Sequence, residues 1–180
     1  MNICVYGSAN ENIDISFRKA GEKLGEEMAK NGHTLIFGGG ASGMMGAVAR
    51  GVYRAGGEII GISPEFFNVD GILYDKCTKM IYTKDMRSRK EKLEDMADAF
   101  IVTPGGIGTM DEFFETISLK QLNQINKPLV IFNVNAFYDN LVALLKNSAE
   151  QNFLDKKDLN LFFVTDNTDE IFEYLNKTVG

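Results

Sequence analysis

Short β-type runs alternate with helix-period stretches along nearly the whole chain, and this alternation restricts the fold more than any other feature. The runs 2–6, 33–37, 58–62, 80–83, 99–103, 128–133 and 161–165 are apolar and are bounded by glycine, proline or polar residues, as strands are. In the first interval Phe17, Ala20, Leu24 and Met28 recur at three or four, the helical period, and Asn31-Gly32 stops the pattern. Further helices are expected over 44–55 (closed by Gly56-Gly57), 84–97, 109–124, 137–150 and 168–177, while 63–79 shows no period and reads as a loop with a short helical turn. Such an order predicts an α/β fold: a Rossmann-like three-layer α/β/α arrangement with a mostly parallel sheet of about seven strands. At 180 residues the chain suits one domain, 1–180.

In sheets of this kind ligands bind beyond the carboxyl ends of the strands, so the loops after Tyr6, Phe37, Ile62 and Thr103 carry the information. Two of them are glycine-rich. The first, Gly38-Gly39-Gly40-Ala41-Ser42-Gly43-Met44-Met45-Gly46, has more glycine than a tight turn needs. It lets the backbone approach a phosphate, with the N–H groups and positive end of the next helix facing the anion. Gly38-x-Gly40-x-x-Gly43 also satisfies the dinucleotide fingerprint, but that motif needs an acid at the end of the following strand. Glu58 stands at the start of its strand, which counts against a nicotinamide-dependent oxidoreductase.

The second turn, Pro104-Gly105-Gly106-Ile107-Gly108-Thr109-Met110-Asp111-Glu112, again opens from a strand into a helix and offers a second anion-facing helix start. Thr109-x-x-Glu112 equally fits a capping box, in which Thr109 caps the helix and Glu112 reaches back; spacing alone leaves both roles open. A third feature is Lys84-Asp85-Met86-Arg87-Ser88-Arg89-Lys90-Glu91-Lys92, five of whose nine residues are basic in a chain of net charge −6. Helical charge runs are usually solvated faces, yet this one follows a strand at the ligand edge.

The acidic balance argues against nucleic acid or an anionic membrane as partner. No apolar run approaches the ~20 residues that span a bilayer, and Asn2–Tyr6 is followed at once by polar residues, so no signal peptide is expected. Cys4 and Cys77 have no metal-type spacing and suggest a reducing compartment, hence the cytoplasm. His33, at a strand entrance away from the ligand edge, reads as structural. Neither a metal nor a cofactor is expected. Phe66, Phe67 and Met86 are candidates for a base pocket, the other Phe and Met residues for the core.

Taken together these segments resemble the Lonely Guy (LOG) family. Pro104-Gly105-Gly106-x-Gly108-Thr109-x-x-Glu112 matches its signature in full, Gly38-Gly39-Gly40-x-x-Gly43-x-Met45-Gly46 is similar to its other glycine turn, and Met86-x-x-Arg89-Lys90 to its basic motif. The likeness continues through Phe137-Tyr138-Asp139 and Phe153-Leu154 to Val164-Thr165-Asp166 and so covers almost the whole chain. Departures are small: Tyr6-Gly7-Ser8-Ala9-Asn10 stands where many members have Cys-Gly-Ser-Ser, Met44 replaces a usual leucine, and Arg87 falls at a variable position.

The resemblance implies a hydrolase that splits the N-glycosidic bond of a nucleoside 5′-monophosphate, such as AMP or a cytokinin nucleotide, with Arg89 and Glu112 as the essential pair. It implies that Gly7, Ser8, Gly38, Gly39, Gly40, Gly43, Met45, Gly46, Met86, Lys90, Gly105, Gly106, Gly108 and Thr109 shape the phosphate and sugar pocket. It also implies a homodimer with the site near the subunit contact. Many such sequences carry an older lysine decarboxylase label, but no pyridoxal-binding arrangement is visible here. The competing reading is a non-catalytic carrier of a nucleotide or of a molybdenum-cofactor-type ligand, which has no need of an Arg89–Glu112 pairing.

Overall fold

The computed structural model describes residues 1–179 and places seven strands between two layers of helices. In chain order these are β1 (Asn2–Tyr6), α1 (Ile15–Lys30), β2 (Thr34–Phe37), α2 (Gly43–Arg54), β3 (Ile59–Pro64), β4 (Lys79–Thr83), α3 (Met86–Met96), β5 (Ala99–Val102), α4 (Ile107–Gln121), β6 (Leu129–Phe132), α5 (Asp139–Glu150), β7 (Phe163–Thr165) and α6 (Thr168–Val179). The sheet runs β4-β3-β2-β1-β5-β6-β7. Every neighbouring pair is parallel, so the expected mostly parallel sheet is parallel throughout.

Period-two alternation along β1 sorts its side chains into two cores. Ile3 and Val5 meet Leu24 and Met28 of α1, Val48 and Val52 of α2, and Ile171 and Leu175 of α6. Cys4 and Tyr6 face the other layer, where Leu93 of α3, Phe113 and Ile117 of α4, and Leu145 of α5 pack. All four residues of β5 and of β6 are buried, as central parallel strands covered on both faces must be. After β4 the chain crosses back to place β5 beside β1, which opens a crevice at the carboxyl ends of β1, β2 and β5.

Helix bounds differ from the sequence expectation by up to three residues, and the starts of α3, α4 and α5, each two residues away, have local reasons. α3 starts at Met86 because the Asp85 carboxylate accepts the Ser88 N–H at 2.9 Å and caps it. α4 starts at Ile107 with Gly106 as its N-cap and stops at Gln121, just before the left-handed Asn123 (φ 56°). α5 starts at Asp139 because Asn135 and Ala136 both have positive φ, 52° and 58°, which a helix from 137 onward would not require but which turns the chain sharply into it. The loop expected over 63–79 is shorter, because β3 runs on to Pro64 and β4 begins at Lys79; between them lies a single 3-10 turn, Glu65–Phe67. The loop is tied to the first glycine turn by a Gly40–Leu73 bridge and by Ala41 N–H donating to Ile72 O at 3.0 Å.

Candidate active site

Arg89, on the first turn of α3, and Glu112, on the second turn of α4, meet over the carboxyl end of β1. Their Nη2–Oε1 distance is 3.2 Å, and each side chain is only 10% exposed. Burial disfavours the charged carboxylate and pushes Glu112 up to about 7, against the opposing pull of Arg89; the like charge of Asp111 adds to the rise. Arg89 is incompletely satisfied. Its Nη1 contacts Met86 Sδ at 3.7 Å, and among the described residues its buried Nε has no hydrogen-bond partner. The guanidinium lies against Gly38, where a Cβ would overlap it. Below the pair, Thr116 donates to the Glu112 carbonyl at 2.9 Å and contacts the Tyr6 hydroxyl at 3.2 Å, fixing this turn of α4 to β1.

Two cavities share this pair's surroundings. One, of about 410 Å³, is lined mainly by apolar groups: Gly38, Gly40, Met45, Phe67, Leu73 and Met86, with Arg89 at one side. The other, of about 300 Å³, is more polar and is lined by Gly7, Ser8, Lys90, Gly106, Gly108 and Thr109 together with Arg89 and Glu112. Ala9, Met45, Met86 and Arg89 border both, so the cavities are two ends of one crevice.

Helix starts decide where an anion fits. α3 is closed by Asp85, and in α2 the Met45 N–H is taken by Ser8 O at 3.1 Å. Neither α2 nor α4 has a side-chain cap, but at the start of α4 Gly106, Gly108 and Thr109 all line the polar cavity, where uncapped N–H groups suit an anion. This geometry corrects the capping-box alternative: Gly106 occupies the cap position, Thr109 lies inside the first turn, and Glu112 pairs with Arg89.

Most of the sequence-predicted positions converge here, though in different capacities. Gly7, Ser8, Gly38, Gly40, Met45, Met86, Arg89, Lys90, Gly106, Gly108, Thr109 and Glu112 line the crevice. Gly39, Gly43, Gly46 and Gly105 line neither cavity. Gly43 has φ 62° and sits tightly beneath the Ser8 carbonyl, a place a side chain could not occupy. Lys90 is engaged by Asp111 at 3.0 Å and Glu115 at 2.6 Å, bracing α3 against α4. Arg87 and Lys92 are exposed, so that part of the basic run is a solvated face. Phe67 and Met86 line the apolar cavity but Phe66 does not. Sequence reasoning did not single out Ser42, Ile72 or Leu73 as lining residues; the recurring apolar residues of this loop (Phe66, Phe67, Val69, Ile72 and Leu73) were the available signal.

Other expectations are met at the far end of the sheet. Glu58 accepts from Thr34 Oγ1 at 3.3 Å, remote from the crevice, which removes it as a ribose-diol acid. His33 is buried beside Phe172 and its Nδ1 contacts the Met1 amino group at 3.5 Å. Burial and that positive charge both hold its pKa down. Among the described residues, no three His, Cys, Asp or Glu side chains are grouped to hold a metal ion.

A family model described as "Possible lysine decarboxylase" matches residues 45–175. A rice protein (Oryza sativa subsp. japonica), named probable cytokinin riboside 5′-monophosphate phosphoribohydrolase LOG4, is 33% identical over 99% of this chain and 77% of its own length. The chain belongs to the LOG family. A second LOG protein, cytokinin riboside 5′-monophosphate phosphoribohydrolase LOG1 of Arabidopsis thaliana, is 31% identical over 84% of this chain and 71% of its own. Among solved structures, the molybdenum cofactor binding protein from Rippkaea orientalis superposes with a TM-score of 0.76 at 23% identity, covering 99% of this chain and 97% of that one, which shows a common fold. In this LOG family member both glycine turns and the basic motif open on a single crevice, with Arg89 and Glu112 where its two ends join.

Proposed function

We propose that the chain is a phosphoribohydrolase: water and a nucleoside 5′-monophosphate, AMP or an N6-substituted cytokinin nucleotide, become free base and ribose 5-phosphate. The observation that carries this reading is the buried Arg89–Glu112 pair at the junction of an apolar cavity and a cavity headed by an uncapped helix start. The phosphate lies at the start of α4, the ribose between Glu112 and Arg89, and the base among Met45, Phe67, Leu73 and Met86. Cleavage passes through a ribose with oxocarbenium character. The C1′–N bond breaks with its electron pair leaving on the base, and water oxygen bonds to C1′. Glu112, as carboxylate, binds ribose hydroxyls, offsets the developing positive charge and accepts the proton of the attacking water; that proton then passes to the departing base nitrogen, which gives the neutral base and restores the carboxylate. Arg89 holds Glu112, and its unpartnered Nε donates to the nucleotide. Fixed charges preorganised around the ribose lower such a barrier by several kcal/mol.

A homodimer belongs to the same reading. Ile107, Phe114 and Leu122, 90%, 40% and 65% exposed, stand on or just beyond α4 at spacings of seven and eight, so they share one face. Ile107 lies between Gly106 and Gly108, so a partner on this face would also wall the phosphate end. A cytoplasmic location is consistent with two free cysteines; among the described residues no helix is long and apolar enough to cross a membrane. The test is product analysis after incubation with AMP and N6-isopentenyladenosine monophosphate. Free base with an equal amount of ribose 5-phosphate is expected, whereas tight binding without release would favour a carrier.

A further inference from the structure

The largest fully buried side chain in the protein, Tyr138, is 1% exposed, and its one polar atom lies directly beneath the second glycine turn. Its hydroxyl donates to the Thr103 carbonyl at 2.8 Å, so one buried oxygen holds the entrance to the bend at Pro104 from below. Burial drives the phenol's pKa up, which keeps it a neutral donor.

The rest of the bend is tied to β1. Thr103 Oγ1 donates to Tyr6 O at 2.8 Å, and Ser8 N–H donates to Pro104 O at 3.2 Å. Position 105 has no room for a Cβ because Thr109 fills the space, so any shift of the bend is passed to the first turn of α4.

The chain goes to some expense to place this ring. Asn135 and Ala136 are consecutive non-glycine residues with left-handed backbone, a conformation found where surrounding structure enforces it. Asn133, at the end of β6, accepts the Tyr138 N–H at 2.7 Å and donates to Asp139 at 2.8 Å, and this holds the strained corner in place. Phenylalanine would fill the same volume without needing a partner; only the hydroxyl requires a bend to hold.

We propose that Tyr138 is a positioning residue, which sets the Pro104–Thr109 turn in the geometry that receives the substrate's phosphate. This rests on the assignment of the phosphate to the start of α4. Tyr138→Phe takes this donor from the buried Thr103 carbonyl and lets the turn relax. Arg89 and Glu112 lie outside the turn and make no contact with the Tyr138 hydroxyl.

The experiment compares wild type with Tyr138→Phe, measuring nucleotide KM and kcat and the inhibition constant of ribose 5-phosphate. KM and the inhibition constant should both rise about tenfold while kcat changes less than threefold, the loss expected for one buried hydrogen-bond system. Leu145→Ala, a core truncation in α5 away from the turn, controls for lost stability and should leave both constants unchanged. Asn133→Ala, which frees the Tyr138 backbone but keeps the ring, should move them in the same direction as Tyr138→Phe. If Tyr138→Phe lowers only the melting temperature, with KM and the inhibition constant unmoved, Tyr138 is a core residue and the proposal fails alone. If wild type itself does not bind ribose 5-phosphate, the phosphate assignment fails and takes the proposal with it.

Discussion

Gly38 and the guanidinium of Arg89 compete for one volume: the glycine at the end of β2 exists as a side-chain-free wall along which Arg89 reaches Glu112. Gly38→Ala would displace Arg89 without disturbing the strand behind it. A misplacement of about 1 Å in a reacting group can cost roughly a hundredfold in rate. Base release by Gly38→Ala should therefore fall about a hundredfold, with the circular dichroism spectrum unchanged.

The protonation of Glu112 sets the pH dependence. Burial holds it at about 7 in the free protein, and only its carboxylate form can offset positive charge on the ribose. The rate at low substrate should thus rise with pH through an apparent midpoint near neutrality. Arg89 pulls that value down, so in Arg89→Ala the residual activity should titrate at higher pH than wild type. A midpoint unmoved by the substitution would remove Glu112 as the titrating group.

The same shift acts on stability. Glu112 is raised from 4.5 to about 7 on folding, so its contribution is fully present below pH 4.5 and is lost as pH rises through 7. Across that window the loss is about 3 kcal/mol. Glu112→Gln mimics the protonated form and escapes it. The stability of Glu112→Gln relative to wild type should therefore grow between pH 5 and pH 8, read as the difference in melting temperature at each pH.

The exposed face of α4 gives a separate prediction. Exposed Ile107, Phe114 and Leu122 share one face at and just beyond α4, and a charge placed there opposes association across that face. Ile107→Asp or Phe114→Glu should convert a wild-type dimer into monomer in sedimentation velocity. A wild type that sediments as a monomer would contradict the dimer.

Much of this architecture is legible along the chain because the signals are periodic. The strand–helix alternation predicts the seven parallel strands, and runs such as Ala99–Val102 are apolar throughout because both faces are covered. Arg89 and Glu112 stand out only through the family motifs; spacing leaves Glu112 equally suited to a capping box. Which glycines face the crevice is not legible, since Gly38 and Gly39 are alike in sequence, yet Gly38 lies against Arg89 while Gly39 takes the left-handed turn at φ 80°. The loop 63–79 hides Leu73 and Phe67 because it has no period and is held by backbone bonds to Gly39, Gly40 and Ala41 that no local pattern encodes. Lys90 reads as a phosphate cation, but its partners Asp111 and Glu115 come from a helix about 20 residues further along.

The most direct measurement follows free base by chromatography, with ribose 5-phosphate assayed in parallel, from AMP and N6-isopentenyladenosine monophosphate. Wild type, Glu112→Gln and Arg89→Ala are compared under identical conditions. The predicted result is equimolar base and sugar phosphate from wild type, falling at least a thousandfold in both variants, the order of loss when a key charged group is removed from a preorganised site. Base release that persists in Glu112→Gln, or a wild type that binds a nucleotide and leaves its glycosidic bond intact, would contradict it.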